Sequence, residues 1–422
     1  FEIRLKIVFL HKFVLDNKTR LHTYINKTNK MTKNNKKSDT KKEVNHKRKI
    51  WFSKSPALIT YGILFLSFFI FCTFIYGDVF TRAEQESIIT LEPEVMRYLL
   101  EQKWGELFWI SRWGLLCYKS TFLGGLLLSM IFTLITYLND KTLKVSRSFI
   151  GISSILPFLI LAWMVWRGTS LYYKNEPSMI VLIPLITLIF SLIIFTVIKI
   201  IRRRELKEEN QFSNKTNIPW GLLSVTLYSS ILYFATLTFN QNEIILARMQ
   251  LKLQKNDMIG LVEEGQKAKR PTKMIAAYYA IGLQQTNQIL EHLFDIPFNY
   301  PESRLDIKDG NEEYGVFLAD CNFYSGLMNA SYRCSMDQIV MHGPRLYYLK
   351  RMVACAVMLQ EYDLANKYLN IIEKTPFENE FVKKYRTLSE NPEEIQNDPS
   401  LKSVIDLFPL EKRFEQNYRS PA

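Results

Sequence analysis

Five long apolar runs dominate the first half of this chain. None contains Asp, Glu, Lys or Arg, and each is close to the ~20 residues that a helix needs to cross the hydrocarbon core of a bilayer. The runs are Pro56–Gly77, Ser120–Asn139, Ser148–Trp166, Pro177–Ile198 and Asn217–Asn240. The sequence therefore predicts a bundle of about five transmembrane helices over residues 56–239. Residues 240–422 have the mixed composition of a soluble domain.

The net charge of +13 is concentrated before the first apolar run. Residues 1–55 hold sixteen Lys and Arg against four acids, and the rest of the chain is close to neutral. A basic block next to a span indicates membrane topology and anionic headgroups rather than DNA or RNA, so we predict no nucleic-acid partner. We expect this lead to be disordered and cytoplasmic. Residues 1–30 precede Met31 and can be upstream sequence that is not native.

The loop charges predict which side of the membrane each segment occupies. Lys and Arg accumulate in cytoplasmic loops, and the basic lead, residues 140–147 and residues 199–216 are all rich in them. Residues 78–119 carry seven acids against five bases, and residues 167–177 are nearly neutral. The N-terminus is therefore predicted to lie inside, and an odd number of spans puts residues 240–422 outside. In a Gram-negative cell these are the cytoplasmic and periplasmic sides of the inner membrane.

The C-terminal region is predicted to be all-α. Its apolar positions recur at three- and four-residue spacing, and no alternating strand pattern of useful length occurs. Helical hairpins recurring every 30–40 residues are typical of tetratricopeptide-like solenoids. The best match is Leu349–Pro376, where Ala365 takes the place of the small residue at the contact of the paired helices. An irregular helical bundle is the alternative.

Signatures of known enzyme sites are missing from the sequence. It contains no His-Glu-x-x-His, Cys-x-x-Cys, Gly-x-Ser-x-Gly or phosphate-binding glycine loop, so we predict no metal and no cofactor. Asp78, Glu84 and Glu86 follow the first span, and acids in such a loop serve as base or metal ligand in membrane glycosyltransferases. They are the candidate catalytic residues, although acids are expected in an outer loop in any case.

The stretch after Gly315 is unusually rich in polar and aromatic groups. Such side chains on the inner helices of a solenoid can bind a peptide or a glycan, and a hydrogen-bonded set that fixes hairpin packing is the alternative. The candidate binding residues are Asp320, Asn322, Tyr324, Asn329, Tyr332 and Arg333. Cys321 and Cys334 lie on either side of the predicted hairpin turn and can form a disulfide in an oxidising compartment if their Cα atoms come within about 7 Å.

A family resemblance rests mainly on residues 240–415. Ala280–Leu283, residues 319–329, Lys350–Ala356 and Lys367–Lys374 resemble an uncharacterised family of Bacteroidales membrane proteins, a family with a domain of unknown function. That family combines several spans with a tetratricopeptide-like tail. The resemblance implies a bacterial inner-membrane location and implies no reaction.

Two hypotheses about function follow. The first is a non-enzymatic inner-membrane protein whose periplasmic helical domain docks a protein partner, in envelope or glycan assembly. The second is a membrane enzyme of glycan transfer or ligation that acts through the residues around Asp78–Glu86. The membrane lipid is a partner in both, and a glycan is a candidate ligand in both.

Overall fold

The membrane half is built around five apolar helices. The computed structural model describes residues 57–145, 149–168, 170–173, 175–204, 220–297 and 314–408, so the basic lead of residues 1–55 lies outside the described residues. The five helices are α1 (Ala57–Ile75), α5 (Thr121–Thr142), α6 (Ile155–Arg167), α8 (Met179–Arg204) and α9 (Trp220–Phe239). The last turn of α1 is a π-helical turn over Phe71–Ile75.

Four of these helices are long and apolar enough to cross a membrane. The exception is α6, whose 13 residues rise about 20 Å and are preceded by a 3₁₀ turn at Ile152–Ser154. The sequence predicted a full-length span over 148–166, and the structure replaces its first part with this turn, where Gly151 adopts a φ of +97°. Pro157 sits in the first turn of α6, where a proline is tolerated.

Although it is short, α6 runs between the same two ends of the bundle as its neighbours. Its start lies beside the start of α9, because a Cβ on Gly221 would stand 1.8 Å from the carbonyl oxygen of Ile150. Its end lies beside the end of α9, because the side-chain amide of Asn240 donates to the carbonyl oxygen of Val165 at 2.6 Å. All five helices therefore pass between one end of the bundle and the other.

Short helices connect the spans at the end where the C-terminal domain lies. They are α2 (Gly77–Gln85), α3 (Pro93–Glu101), α4 (Gly105–Leu115) and α7 (Ser170–Tyr173), with a 3₁₀ turn at Leu116–Lys119. The hairpin of α3 and α4 packs against α8, and α2 packs against the first helix of the C-terminal domain.

The C-terminal domain consists of helices that pair in sequence order, and no strand occurs among its described residues. The first members of the pairs are α10 (Gln241–Gln254), α12 (Lys273–Gln285), α14 (Tyr314–Tyr324), α16 (Leu346–Met358) and α18 (Asn379–Glu390). The second members are α11 (Met258–Gly265), α13 (Ile289–His292), α15 (Met328–His342), α17 (Tyr362–Glu373) and α19 (Pro399–Ile405). The prediction of an all-α protein is confirmed.

The first four pairs share one turn. Each first helix ends in a residue with positive φ, namely Asn256, Asn287, Gly326 and Gln360. In each case the next residue donates its N–H to a carbonyl five positions earlier: Asp257 to Lys252, Gln288 to Leu283, Leu327 to Asn322 and Glu361 to Ala356. This is the Schellman cap, which favours Gly or Asn at the left-handed position. The cap recurs at intervals of 31, 39 and 34 residues, so the four turns are structurally equivalent.

One hydrophobic core runs through the unit that begins at Thr60. It extends from Leu64 and Phe68 in α1, through Ile244 and Tyr278, to Leu401 in α19. The hairpin that best matched a repeat is packed as expected, with Ala365, Leu369 and Ile372 all buried. The C-terminal domain therefore does not stand apart from the outer segments of the membrane half. It shares its core with them.

Candidate functional site

The segment after α1 lies along the first helices of the C-terminal domain. At its start, Asp78 pairs with Arg248 of α10 at 2.9 Å. At its other end, the Thr90 hydroxyl donates to the carbonyl oxygen of Ile371 at 3.1 Å, and the Leu91 N–H donates to that of Lys374 at 3.0 Å. Residues 77–92 thus cross the domain from α10 to the end of α17. We call them the outer strap.

Arg82 is the central residue of the strap and is fully buried. Its Nε donates to Oε1 of Gln250 at 2.9 Å, its guanidinium pairs with Glu86 at 2.5 Å, and it lies 4.1 Å from the ring centroid of Tyr347. Burial lowers the pKa of Arg82, but the Glu86 carboxylate and the surrounding tyrosines raise it by more, so the pKa lies above its ordinary value. A buried charge persists only when it is paired in this way, so Arg82 fixes the strap to α10 and α16.

Asp320 is the node on the domain side of the same network. Its carboxylate accepts hydrogen bonds from Tyr278 at 2.9 Å, from Tyr347 at 2.5 Å and from Arg351 at 2.7 Å. The Gln250 amide donates to the Tyr278 hydroxyl at 3.1 Å, which connects this node to Arg82. The first helices α10, α12, α14 and α16 are therefore joined to the strap by one chain of buried polar groups.

Arg345 ties a third segment into the site. Its guanidinium lies 3.4 Å from Glu86 and donates to the carbonyl oxygens of Tyr172, of Tyr173 at 3.1 Å and of Asn175 at 3.4 Å. It thereby holds the connection between α6 and α8 against the start of α16. Its Nε is buried and has no hydrogen-bond partner among the described residues.

Glu84 occupies a different environment on the strap. It is buried, and no hydrogen bond to its carboxylate is formed within the described part of the chain. A cavity of about 10 Å³ lies against it, together with Ser87, Arg112 and Thr375. The pKa of Glu84 is raised to about 7, mainly by burial; Lys119 and Lys350 lower it, and Glu378 raises it. Both of those lysines form their ion pairs with Glu378 instead.

The three acids predicted as catalytic candidates therefore do not share a centre. Asp78 is bound to Arg248, Glu86 is held between Arg82 and Arg345, and Glu84 faces its own small cavity. Each carboxylate has a separate set of neighbours, and two of the three are almost inaccessible to solvent.

The predicted binding residues on α14 and α15 also point to different places. Asp320 and Tyr324 are buried, Arg333 is exposed, and the Tyr332 hydroxyl lies 2.6 Å from that of Tyr368. Asn322 donates to Sγ of Cys334 at 3.5 Å, and Asn329 is half-buried. The set does not form one face, and its Asp320 is occupied by the network described above. Cys321 and Cys334 are free thiols, so the predicted disulfide is not formed in this structure.

A polar cleft of about 360 Å³ opens beside this network. Its walls are the α3–α4 hairpin, the segment 175–177 and the turn between α15 and α16, with Glu86 and Arg345 at its base. Arg112 of α4 reaches across one wall and pairs with Glu176 through its Nε at 2.8 Å. The cleft brings together bases and acids from four separate segments of the chain.

Several of these groups were not identified from the sequence. Arg82 lies four residues before Glu86, the residue that caps the end of α2, and this is the spacing of a helical ion pair that the sequence displays. Arg345, Arg351, Gln250 and Glu176 meet their partners across separations that no local pattern encodes.

Comparison with known families gives one assignment. The sequence matches a family of unknown function (DUF6057) over residues 53–204 and 169–420, so the chain belongs to that family. No curated protein and no solved structure matches it.

Proposed function

We propose that this member of the DUF6057 family is an integral inner-membrane protein that holds a tetratricopeptide-like domain at the periplasmic surface as a docking platform for a protein partner. In a Bacteroidales cell, envelope or glycan assembly is the process that suits such a location. The observation that carries the proposal is the binding of the outer strap along the first helices of the domain, through Arg82, Glu86 and Asp320. This network serves to fix the domain rigidly to its anchor.

The exposed apolar side chains of the membrane helices support the location. Phe190, Ile193 and Phe234 are each more than half exposed, and such surfaces on a bundle face lipid rather than water. The five passes between the two ends of the bundle favour the odd number of spans that puts the domain on the side opposite the basic lead.

The surface that remains for a partner is formed by the second helices, because the strap covers part of the face that the first helices form. On α15, Met336, Val340 and Met341 are exposed, and Val340 is 72 % exposed. The spacing from Met336 to Val340 keeps these side chains on one face of the helix. A partner with an apolar contact surface fits this patch.

A photo-crosslinking experiment in native membranes tests this proposal. A benzoylphenylalanine placed at Val340 is expected to give one defined protein adduct, whereas the same group at the exposed Lys402 of α19 gives none. Met336→Asp should abolish the adduct while leaving the protein folded. Adducts of equal yield at both positions, or their persistence in the Met336→Asp chain, would contradict the platform hypothesis.

A membrane enzyme of glycan transfer or ligation is the second candidate. The observation that favours it is the polar cleft, where Glu86 and Glu176 lie together with Arg112. Glu176→Gln tests it without disturbing the buried strap, and Glu263→Gln on the exposed side of α11 serves as a matched change outside the cleft. If surface glycans change in the first variant only, while partner capture at Val340 is intact, the enzymatic hypothesis replaces the platform.

A further inference from the structure

The cleft has an excess of positively charged side chains over negatively charged ones. Four bases lie in or next to it, Arg82, Lys103, Arg112 and Arg345, against two acids, Glu86 and Glu176. Both acids are already paired, Glu86 with Arg82 and Arg345, and Glu176 with Arg112. The remaining donors therefore lack a counter-charge.

The unpaired donors can be named. Nε of Arg345 is buried without a partner among the described residues, and the Arg345 side chain is only 5 % exposed. Arg112 uses its Nε for Glu176, and no bond to its two terminal nitrogens is formed within the described part of the chain. Lys103 forms no ion pair with any described residue. Arg112 and the exposed Lys103 line the cleft, so their N–H groups are available to an acceptor bound there.

The backbone adds to this preference for an anion. Arg345 is the N-cap residue of α16, and no side chain caps this 13-residue helix. The free N–H groups and the dipole of a helix start favour a negative group. Arginine forks and a helix start together are the groups that proteins use to bind phosphate.

The position of the cleft indicates where such a group comes from. The α4 helix presents Phe108 and Arg112 to the cleft. Other positions on it, Leu107, Ile110 and Trp113, are exposed apolar side chains, and Ile110 is 60 % exposed. A helix that joins two apolar helices and exposes Trp and Ile lies at the membrane interface, at the level of lipid headgroups.

We propose that this cleft binds a phosphate group of headgroup size at the outer surface of the inner membrane, with Arg112 and Lys103 as its ligands and Arg345 adding positive charge to the cleft wall. The volume of about 360 Å³ is at the small end of ligand sites, which suits a glycerol phosphate or a sugar phosphate better than a whole lipid. This inference does not require the platform proposed above, although Val340 and Met341 of the α15 patch also line the cleft. It applies equally if the phosphate belongs to a lipid or to a soluble ester.

Calorimetric titration of the full chain in dodecyl maltoside tests the inference. The probes are glycerol 1-phosphate, phosphatidylglycerol and, as a phosphate-free control, a galactolipid. We expect at least one phosphate probe to bind and the galactolipid to have no effect. Binding of the soluble ester indicates a free phosphate ligand, and binding of phosphatidylglycerol alone indicates a lipid headgroup. If neither phosphate probe binds, or if the galactolipid binds as tightly, the inference is overturned.

Variants separate this site from a general attraction of anions to a basic protein. Lys103→Gln alters an exposed side chain without a partner in the described residues, so it should fold normally and weaken binding about tenfold, as expected for the loss of one charged hydrogen bond. Arg112→Gln should weaken it by at least as much. Lys402→Gln, the same change on exposed α19, should leave the affinity unchanged. Equal affinities of the Lys103→Gln and Lys402→Gln proteins would overturn the assignment.

Discussion

Glu84 shows how a single buried carboxyl can make the stability of this protein depend on pH. Its pKa is about 7, mainly because it is buried, whereas the ordinary value is 4.5. The folded state therefore binds the proton more tightly than the unfolded state. The stability that this proton provides is fully present below about pH 4.5 and is lost as the pH rises through about 7.

Replacing this carboxyl by an amide removes its contribution to the pH dependence of stability. We expect Glu84→Gln to match the wild type near pH 5 and to exceed its free energy of unfolding at pH 8 by an amount on the order of 2–3 kcal/mol. Denaturant unfolding of the detergent-solubilised chain at both pH values measures this. Glu263→Gln, a change on the exposed side of α11, should shift neither value. A Glu84→Gln protein whose stability falls in parallel with the wild type from pH 5 to pH 8 would contradict the argument.

Asp320 is a second buried carboxyl that affects stability, through its ion pair and hydrogen bonds. It is fully buried, pairs with Arg351 at 2.7 Å and accepts from two tyrosines. Asp320→Asn leaves the Arg351 guanidinium buried without its counter-charge, and breaking a buried pair in this way costs about 3–5 kcal/mol.

The matched control for this change is Asp337→Asn, the same substitution at an exposed position of the next helix. We expect it to alter the free energy of unfolding by less than about 0.5 kcal/mol. Thermal unfolding of both proteins in one detergent compares them directly. Equal melting temperatures would show that Asp320 does not hold the first helices together.

The sequence indicated which residues of this network are unusual but not what they contact. Asp320 and Tyr324 were singled out because a packing helix rarely needs so many polar groups, and that observation is equally compatible with a ligand surface and with a buried node. The structure shows a node, since Tyr278 and Tyr347 approach from helices 42 and 27 positions away in the sequence. Spacing within one helix carries no information about such partners.

At the scale of helices, local signals were sufficient for most of the domain. Apolar spacing predicted an all-α domain because its helices bury their apolar side chains, and Asn or Gly marks several of the recurring caps. The α6 helix was harder, because an apolar run has the same composition whether it is helical throughout or begins with a turn at Gly151. The close packing of α1 on α5 had no local signal beyond the pair Gly124–Gly125.

That contact leads to a prediction about helix packing. A Cβ on Gly125 would stand 2.0 Å from Oγ1 of Thr73, so α1 and α5 touch through a residue that has no side chain. Small residues allow helices in membranes to approach this closely. Gly125→Leu should therefore separate the two helices and lower the melting temperature of the solubilised protein by several degrees or prevent folding.

Gly62→Leu provides the control within the same pair of helices. Gly62 lies on α1, and a Cβ added there would meet no atom of the described residues within 4 Å. The added leucine therefore has open space and should leave the melting temperature nearly unchanged. Both proteins can be compared by fluorescence-detected gel filtration after heating. A Gly125→Leu protein that is as stable as the Gly62→Leu protein would show that α1 and α5 do not pack closely at Gly125.

At the scale of the whole molecule, the outer strap changes how the two halves are understood. The sequence divides at about residue 240 into an apolar part and a mixed part, which suggests an anchor with a separate domain. The structure instead gives one core from α1 to α19, because residues 77–92, Tyr172, Tyr173 and Asn175 contribute polar and apolar contacts to the first helices. Amino-acid composition indicates which segments suit lipid and which suit water, but it does not indicate where the hydrophobic core ends.

The side of the membrane on which this unit lies depends on α6. Its start lies at the end of the bundle where Gly151 donates to Asp140, and its finish lies at the domain end beside Asn240. If α6 crosses the bilayer, Lys144 and Lys269 are on opposite sides. If α6 does not cross, the chain crosses the bilayer four times, and Lys144 and Lys269 lie on the same side. About 20 Å of helix is shorter than a hydrocarbon core of about 30 Å, a mismatch that local thinning can accommodate.

Cysteine labelling of cells distinguishes these two topologies. In a chain whose five native cysteines are replaced, Lys269→Cys should react with an impermeant maleimide once the outer membrane is permeable. Lys144→Cys should react at least tenfold less until the inner membrane is opened, and both should label fully in detergent. Equal labelling of the two positions before lysis would mean that α6 does not cross. The domain would then share the side of the basic lead, and the loop-charge argument for a periplasmic location would fail.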